Sequence, residues 1–307
     1  MFINFLFTIG IMYIVFVLYN IYRNEFGLFG NFKEKEYRVY RNERTSKYLF
    51  SYNYVPNNFD GILIGPSLST IEMNTKNIKN NKIYNLSVNG ANISELKYLI
   101  DNVFKYGDIK KFIICLDPYL FQDSGLKTAS INKKEYYASF LSPRFIYNYY
   151  LKKKERLVDP KNDIYQNSYW GYRFNDPKDI KISSTYSINN VLADIGEEKF
   201  KSIIDDKAYL EVTEIFEDVR KRNIKVIAYF FPRPKRIFER YYDKASYLLY
   251  KEKIDKLLDY DKDIIIDLNQ KEFDYFRNND ENYADVAHLS KKGGEEMISI
   301  LNNRLNA

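Results

Sequence analysis

The chain has 307 residues, of which 45% are apolar, 29% charged and 17% aromatic, a composition that excludes intrinsic disorder and the collagen-like or low-complexity classes. With 8 Pro and 12 Gly it lacks the turn density of a sandwich of many short strands, and no self-similar period marks a solenoid. A single Cys (Cys115) and a single His (His288) exclude a structural zinc, an iron–sulfur cluster and a disulfide scaffold, while a net charge of +6 spread along the chain gives no sign of a nucleic-acid partner.

Residues 1–22 carry no charged side chain. About twenty helical residues cross the roughly 30 Å hydrocarbon core, so this stretch predicts a transmembrane anchor with Tyr19, Tyr22 and Arg23 at one interface. It has neither a basic leading region nor a small-x-small site, and reads as uncleaved. Arg23, Lys33, Lys35, Arg38, Arg41 and Arg44 follow it; read literally, the positive-inside rule would keep the body of the chain in the cytoplasm, which stands against the extracytoplasmic placement reached below. Residues 23–58 mix charged, aromatic and Asn residues without a clean period, and read as a stalk or irregular lead-in.

From residue 59 the pattern becomes organised. Apolar strands are expected over 59–64, 82–88, 111–117, 225–231 and 264–267, alternating with amphipathic helices over 93–106, 207–222, 245–258 and 291–305. Continuous apolar strands between such helices indicate a doubly wound parallel α/β sheet covered on both faces. Cys115 lies inside the third strand and reads as a buried, inert thiol. Residues 119–206 are too long for a plain loop and are expected to form a partly helical insertion. This insertion carries aromatic clusters at Tyr136 and Tyr137, at Tyr147, Tyr149 and Tyr150, and at Tyr169, Trp170 and Tyr172, and leaves from a strand's carboxyl end, where it could build a lid or a substrate groove.

Ligands of open α/β sheets sit beyond the carboxyl ends of the strands, which directs attention to Ser67, Gly90, Asp117 and Arg233 after the first four strands, and to Asp285 and His288 just before the last helix. A nucleophilic serine needs a base within hydrogen-bond reach, and the base needs a partner that fixes its tautomer. Asp285 and His288, three residues apart on one loop, can hold carboxylate against imidazole and leave the second ring nitrogen for Ser67. Ser67 sits at a strand-to-helix turn where its own N–H can face a developing oxyanion. Read without that partnership, His288 is a capping residue at a helix entrance and Ser67 is ordinary turn chemistry.

Three blocks now resemble a family. Gly65-Pro66-Ser67 after the first strand, 85–90 (Asn-Leu-Ser-Val-Asn-Gly) after the second, and Asp285-Val286-Ala287-His288 before the final helix look like the SGNH (GDSL-like) hydrolases. With the apolar amino-terminal helix they look most like the anchored branch that includes the teichoic-acid D-alanylation and alginate O-acetylation proteins. The resemblance covers about 59–305 but leaves the insertion unmatched. It implies a three-layer, flavodoxin-like α/β/α domain over 59–307, with Ser67 as nucleophile, His288 as base and then acid, Asp285 orienting it, and the N–H groups of Ser67 and Gly90 as oxyanion donors. The family's third block supplies an asparagine to that hole; this chain has Asp117 followed by Pro118, so a further donor would come from elsewhere, Asn89 being one candidate.

The implied activity is a membrane-anchored serine esterase or O-acyltransferase, acetyl being the first choice of acyl group, acting on a cell-surface polysaccharide from the extracytoplasmic side. It needs no cofactor or metal; its partners would be the bilayer, an acyl donor or acylated glycan, and a membrane-bound acyltransferase. Two other readings stand beside it. Gly-Pro-Ser-Leu also looks like part of a bacterial sialyltransferase motif, which predicts cytidine-nucleotide binding. An inactive scaffold of a polysaccharide assembly would account for the missing third-block asparagine. Rossmann and P-loop readings fail for want of their glycine signatures.

Overall fold

Five short apolar runs, Gly61–Ile64 (β1), Ile83–Asn85 (β2), Lys111–Cys115 (β3), Lys225–Phe230 (β4) and Ile264–Asp267 (β5), pair into one sheet in the order β2-β1-β3-β4-β5, every neighbour parallel. The computed structural model describes residues 2–30, 43–122, 131–143, 150, 168–173, 187–194, 196 and 198–305. β1 lies in register with β3 through Ile62 opposite Phe112 and Ile64 opposite Ile114. The order reverses between β1 and β3, a topological switch point of the kind where such sheets bind ligands.

The helices are Phe2–Arg23 (α1), Glu43–Phe50 (α2), Tyr54–Asn58 (α3), Ser67–Thr70 (α4), Ile93–Tyr106 (α5), Pro118–Phe121 (α6), Glu135–Leu141 (α7), Ile188–Asp194 (α8), Asp206–Lys221 (α9), Lys235–Tyr241 (α10), Lys244–Asp255 (α11), Asp274–Arg277 (α12) and Lys291–Leu305 (α13). Successive strand residues face opposite layers. Ile62, Ile64, Phe112 and Ile114 join a core with Leu96, Leu99 and Val103 of α5 and with Val212 and Phe216 of α9. Leu63, Ile113, Ile227 and Tyr229 join a second core with Met297 and Leu301 of α13. Both faces of the sheet are therefore covered, which explains why the strands read as unbroken apolar runs.

Start signals match the chemistry of their positions. The Asn92 side chain accepts from Glu95 N–H at the head of α5 and Asp243 accepts from Ser246 N–H at the head of α11, each satisfying a helix donor that has no intrahelical partner. Asp117 does the same for Tyr119 N–H, and Pro118 opens α6 where its missing donor costs nothing. The second strand is shorter than expected as a ladder, but Leu86 N–H and Val88 N–H still donate to Leu63 and Gly65 carbonyls, so the chain keeps beside β1 to residue 88.

The lead-in differs from its reading as a stalk or irregular layer. In the described part of 23–58, Phe26, Tyr48, Leu49, Phe50, Tyr54 and Val55 are buried in the same core as α5. The eight residues of α2 (Glu-Arg-Thr-Ser-Lys-Tyr-Leu-Phe) look polar by composition because its buried face includes Ser46 and Lys47. α1 is long and apolar enough to cross a membrane, and none of its most apolar stretch is buried in the protein. The insertion is helical at α6, α7 and α8, and Tyr169, Trp170 and Tyr172 lie beside β2, with Gly171 against the Asn85 carbonyl. Tyr147 and Tyr149 lie outside the described residues.

Candidate active site

β1 ends at Ile64, and Gly65 and an extended Pro66 turn the chain into the single turn of α4, which begins at Ser67. This places the Ser67 side chain at the sheet's carboxyl edge, half-buried. Behind it, Ser69 Oγ and the buried Tyr229 hydroxyl are 2.7 Å apart, and Asn85 Nδ2 donates to the Ser69 carbonyl at 2.6 Å and to the Met73 carbonyl at 3.2 Å. The turn carrying the serine is thus fastened to both β4 and β2.

His288 comes from a loop closed on itself before α13. Tyr283 and Leu289 form an antiparallel bridge, and Ala284 N–H donates to the His288 carbonyl at 2.8 Å. Inside the loop, Asp285 Oδ1 accepts from Ala287 N–H and His288 N–H, both at 2.7 Å, a side-chain mimic of a backbone turn. Its other oxygen, Oδ2, stands 2.8 Å from His288 Nδ1. His288 Nε2 stands 2.9 Å from Ser67 Oγ, across 221 residues of sequence. Burial acts to raise the Asp285 carboxyl, but the hydrogen bonds from the His288 ring and from the His288 and Ala287 N–H groups outweigh it and hold the group below the usual carboxylate range.

Two glycines set the distance between the serine turn and the histidine loop. A Cβ at Gly293 would stand 2.0 Å from the Asn282 carbonyl oxygen, and one at Gly294 would stand 2.3 Å from that of Glu72. Neither position has room for a side chain. The first turn of α13 therefore touches the backbone before the histidine loop and the backbone after the serine turn, and draws the two together.

Gly90 has φ +66, a left-handed conformation that disfavours other residues. Among the described residues, neither its N–H nor that of Ser67 has a hydrogen-bond partner. Asn89 N–H is taken, at 2.9 Å, by the Glu43 carboxylate, which leaves its side-chain amide as the only donor Asn89 could offer. Sequence reading missed what holds this loop. Lys47, fully buried, pairs with Glu43 at 3.0 Å and donates to the Ser87 carbonyl, so α2 grips residues 87–89 from behind. Burial, only partly offset by Glu43, lowers the Lys47 pKa.

Asp117, where the family resemblance implies an asparagine, is buried and accepts from Arg233 Nη2 at 2.5 Å and Nε at 3.2 Å. The Arg233 guanidinium also lies over the Phe231 and Tyr242 rings, 5.5 and 5.7 Å from their centroids. Despite its burial, Asp117 keeps Arg233 firmly protonated. Cys115 is buried, and burial pushes its thiol up to about 12, the state of an unreactive side chain. Near the serine turn and α13, a cleft of about 400 Å³ is bordered by Glu72, Asn74, Trp170, Tyr172, Lys291 and Glu295. No group of His, Cys, Asp and Glu suited to a metal occurs among the described residues. Neither family models nor curated protein sequences match this chain.

Proposed function

We propose that the protein is a membrane-anchored serine esterase or O-acyltransferase of the SGNH type, acting on ester-modified glycan at the cell surface. The observation that carries this reading is the unbroken chain Asp285 Oδ2, His288 Nδ1, His288 Nε2 and Ser67 Oγ, with links of 2.8 and 2.9 Å at its two hydrogen-bonding steps. Ser67 Oγ attacks the acyl carbonyl carbon while His288 Nε2 takes its proton. The carbonyl oxygen becomes an oxyanion facing the Ser67 and Gly90 N–H groups, and expulsion of the alcohol returns the proton through His288. Water or a sugar hydroxyl then attacks acyl-Ser67 by the same route in reverse. Esterase and transferase differ only in whether water reaches that intermediate.

Asp285 fixes the tautomer that presents a bare Nε2 to the serine and stabilises the imidazolium that forms. The α1 helix supports anchoring, and the domain faces the extracytoplasmic side in this reading, against the basic residues that follow α1. Asp117 favours a second reading, an inactive scaffold, because its carboxylate is occupied by Arg233 and offers no amide to an oxyanion. The test is intact-mass analysis of the full chain in detergent after a fluorophosphonate probe. One adduct at Ser67, absent from Ser67→Ala and His288→Ala, supports the enzyme. A folded protein with no adduct supports the scaffold.

A further inference from the structure

α1 is almost wholly exposed, yet it is not free of the domain. Asn20, its buried residue, donates from Nδ2 to the Phe140 carbonyl at 3.0 Å, and the Tyr13 hydroxyl donates to the Leu141 carbonyl at 3.0 Å. These two acceptors belong to the last turn of α7, where helix carbonyls have no intrahelical donor. In water such carbonyls are simply hydrated. In hydrocarbon each needs a protein partner, and here α1 supplies both.

The depth follows from helix geometry. Tyr13 and Asn20 are seven residues apart, about 10 Å along the axis, and reach toward adjacent carbonyls. The end of α7 therefore lies beside α1 at about residue 16 or 17, roughly 10 Å to the membrane side of Arg23. No spacer lifts the domain away: Asn24, Glu25 and Phe26 are buried directly after α1, and Phe26 packs with Phe50 of α2 at 6.3 Å. α7 itself is polarised. Lys133 and Lys134 are exposed just before its first residue, Glu135, with the Lys133 ammonium 4.2 Å over the Tyr98 ring; Tyr137 and Leu141 are exposed one turn apart toward its tail, and Tyr136 on the inner side meets Tyr52 at 4.5 Å.

We infer that α7 is an interfacial element that enters the bilayer alongside α1, with Tyr137 and Leu141 at the acyl-chain boundary and Lys133 and Lys134 at the phosphates of anionic lipids. The partner is a phospholipid monolayer, recognised by an aromatic tail and a basic head on one short helix. The inference rests on α1 spanning the membrane, and places the candidate active site on a domain seated directly at the membrane surface.

The test uses the full chain in vesicles of phosphatidylcholine and phosphatidylglycerol. Tyr137→Trp supplies a reporter, the wild type with its one tryptophan, Trp170, supplies the blank, and Phe7→Trp reports on α1. The expected result is that Trp at 137 loses most of its emission to lipids brominated high on the acyl chain and little to aqueous iodide, and that Lys133→Glu with Lys134→Glu weakens the lipid quenching. Lipid quenching at 7 combined with iodide quenching at 137 overturns the inference and leaves the anchor standing. Iodide quenching at both positions overturns the anchor and the inference together.

Discussion

Asp285 and Asp117 serve the same edge of the sheet in opposite ways. Asp285 is 21% exposed and holds a histidine that is 27% exposed, a pair open to solvent. Asp117 is 4% exposed and bound to an arginine that is 10% exposed, a partner that stays charged throughout the accessible pH range. The difference separates a carboxylate joined through His288 to a half-buried serine from one that fixes structure. It also explains why a position at a strand's carboxyl end is no guarantee of chemistry.

The sharpest break of that comparison is at Ser67. Ser67→Ala is expected to lower ester hydrolysis by about 10⁵–10⁶ while leaving the thermal midpoint unchanged, as read by product assay and calorimetry. Asp285→Asn should cost about 10⁴ in kcat. The asparagine oxygen can still accept from Ala287 and His288, so the loop stays folded, whereas Asp285→Ala loses stability as well. For Arg233→Met the effect moves to folding: an uncompensated buried Asp117 costs about 3–5 kcal/mol in urea unfolding, and adding Asp117→Leu recovers part of it. If Arg233→Met instead lowered kcat without loss of stability, the separation drawn between the two carboxylates would be wrong.

Smaller effects come from the grip on the Gly90 loop and from pH. Lys47→Met leaves Glu43 and the Ser87 carbonyl without their cation, and should destabilise by about 1–3 kcal/mol and lower kcat more than it changes KM. Because the Asp285 pKa is lowered by folding, its contribution to stability is complete above the unfolded carboxylate value of about 3.9 and is lost as pH falls through the folded value. The stability gap between wild type and Asp285→Asn should therefore be flat at neutral pH and close only under acid titration.

The strands and the pairing of Asp285 with His288 were legible in sequence for local reasons, and Ser67 for its place at a strand's carboxyl end. A run such as Phe112 to Cys115 is apolar because both faces are covered, and Asp285 and His288 share one short loop. Lys47 was not legible. A lysine in a polar-looking octapeptide gives no hint that its ammonium is buried under a loop forty residues away. Nor was the role of Asp117, since its partner Arg233 lies 116 residues on and the pairing exists only when β3 and β4 lie side by side. The buried lead-in was obscured similarly: α2 turns Ser46 and Lys47 inward beside Tyr48 to Phe50, so its polar letters conceal its packing.

The 221 positions that separate Ser67 from His288 also put a clock on assembly of the site. At roughly 5–20 residues per second of synthesis, about 10–45 s separate the appearance of the serine from that of its base. Throughout that interval Ser67 has no histidine partner, and any reactivity the pairing would confer is withheld. The pairing forms only when the Gly293 and Gly294 backbone brings the histidine loop onto the serine turn, so the separation of the two residues along the chain delays assembly of the site until synthesis is nearly complete.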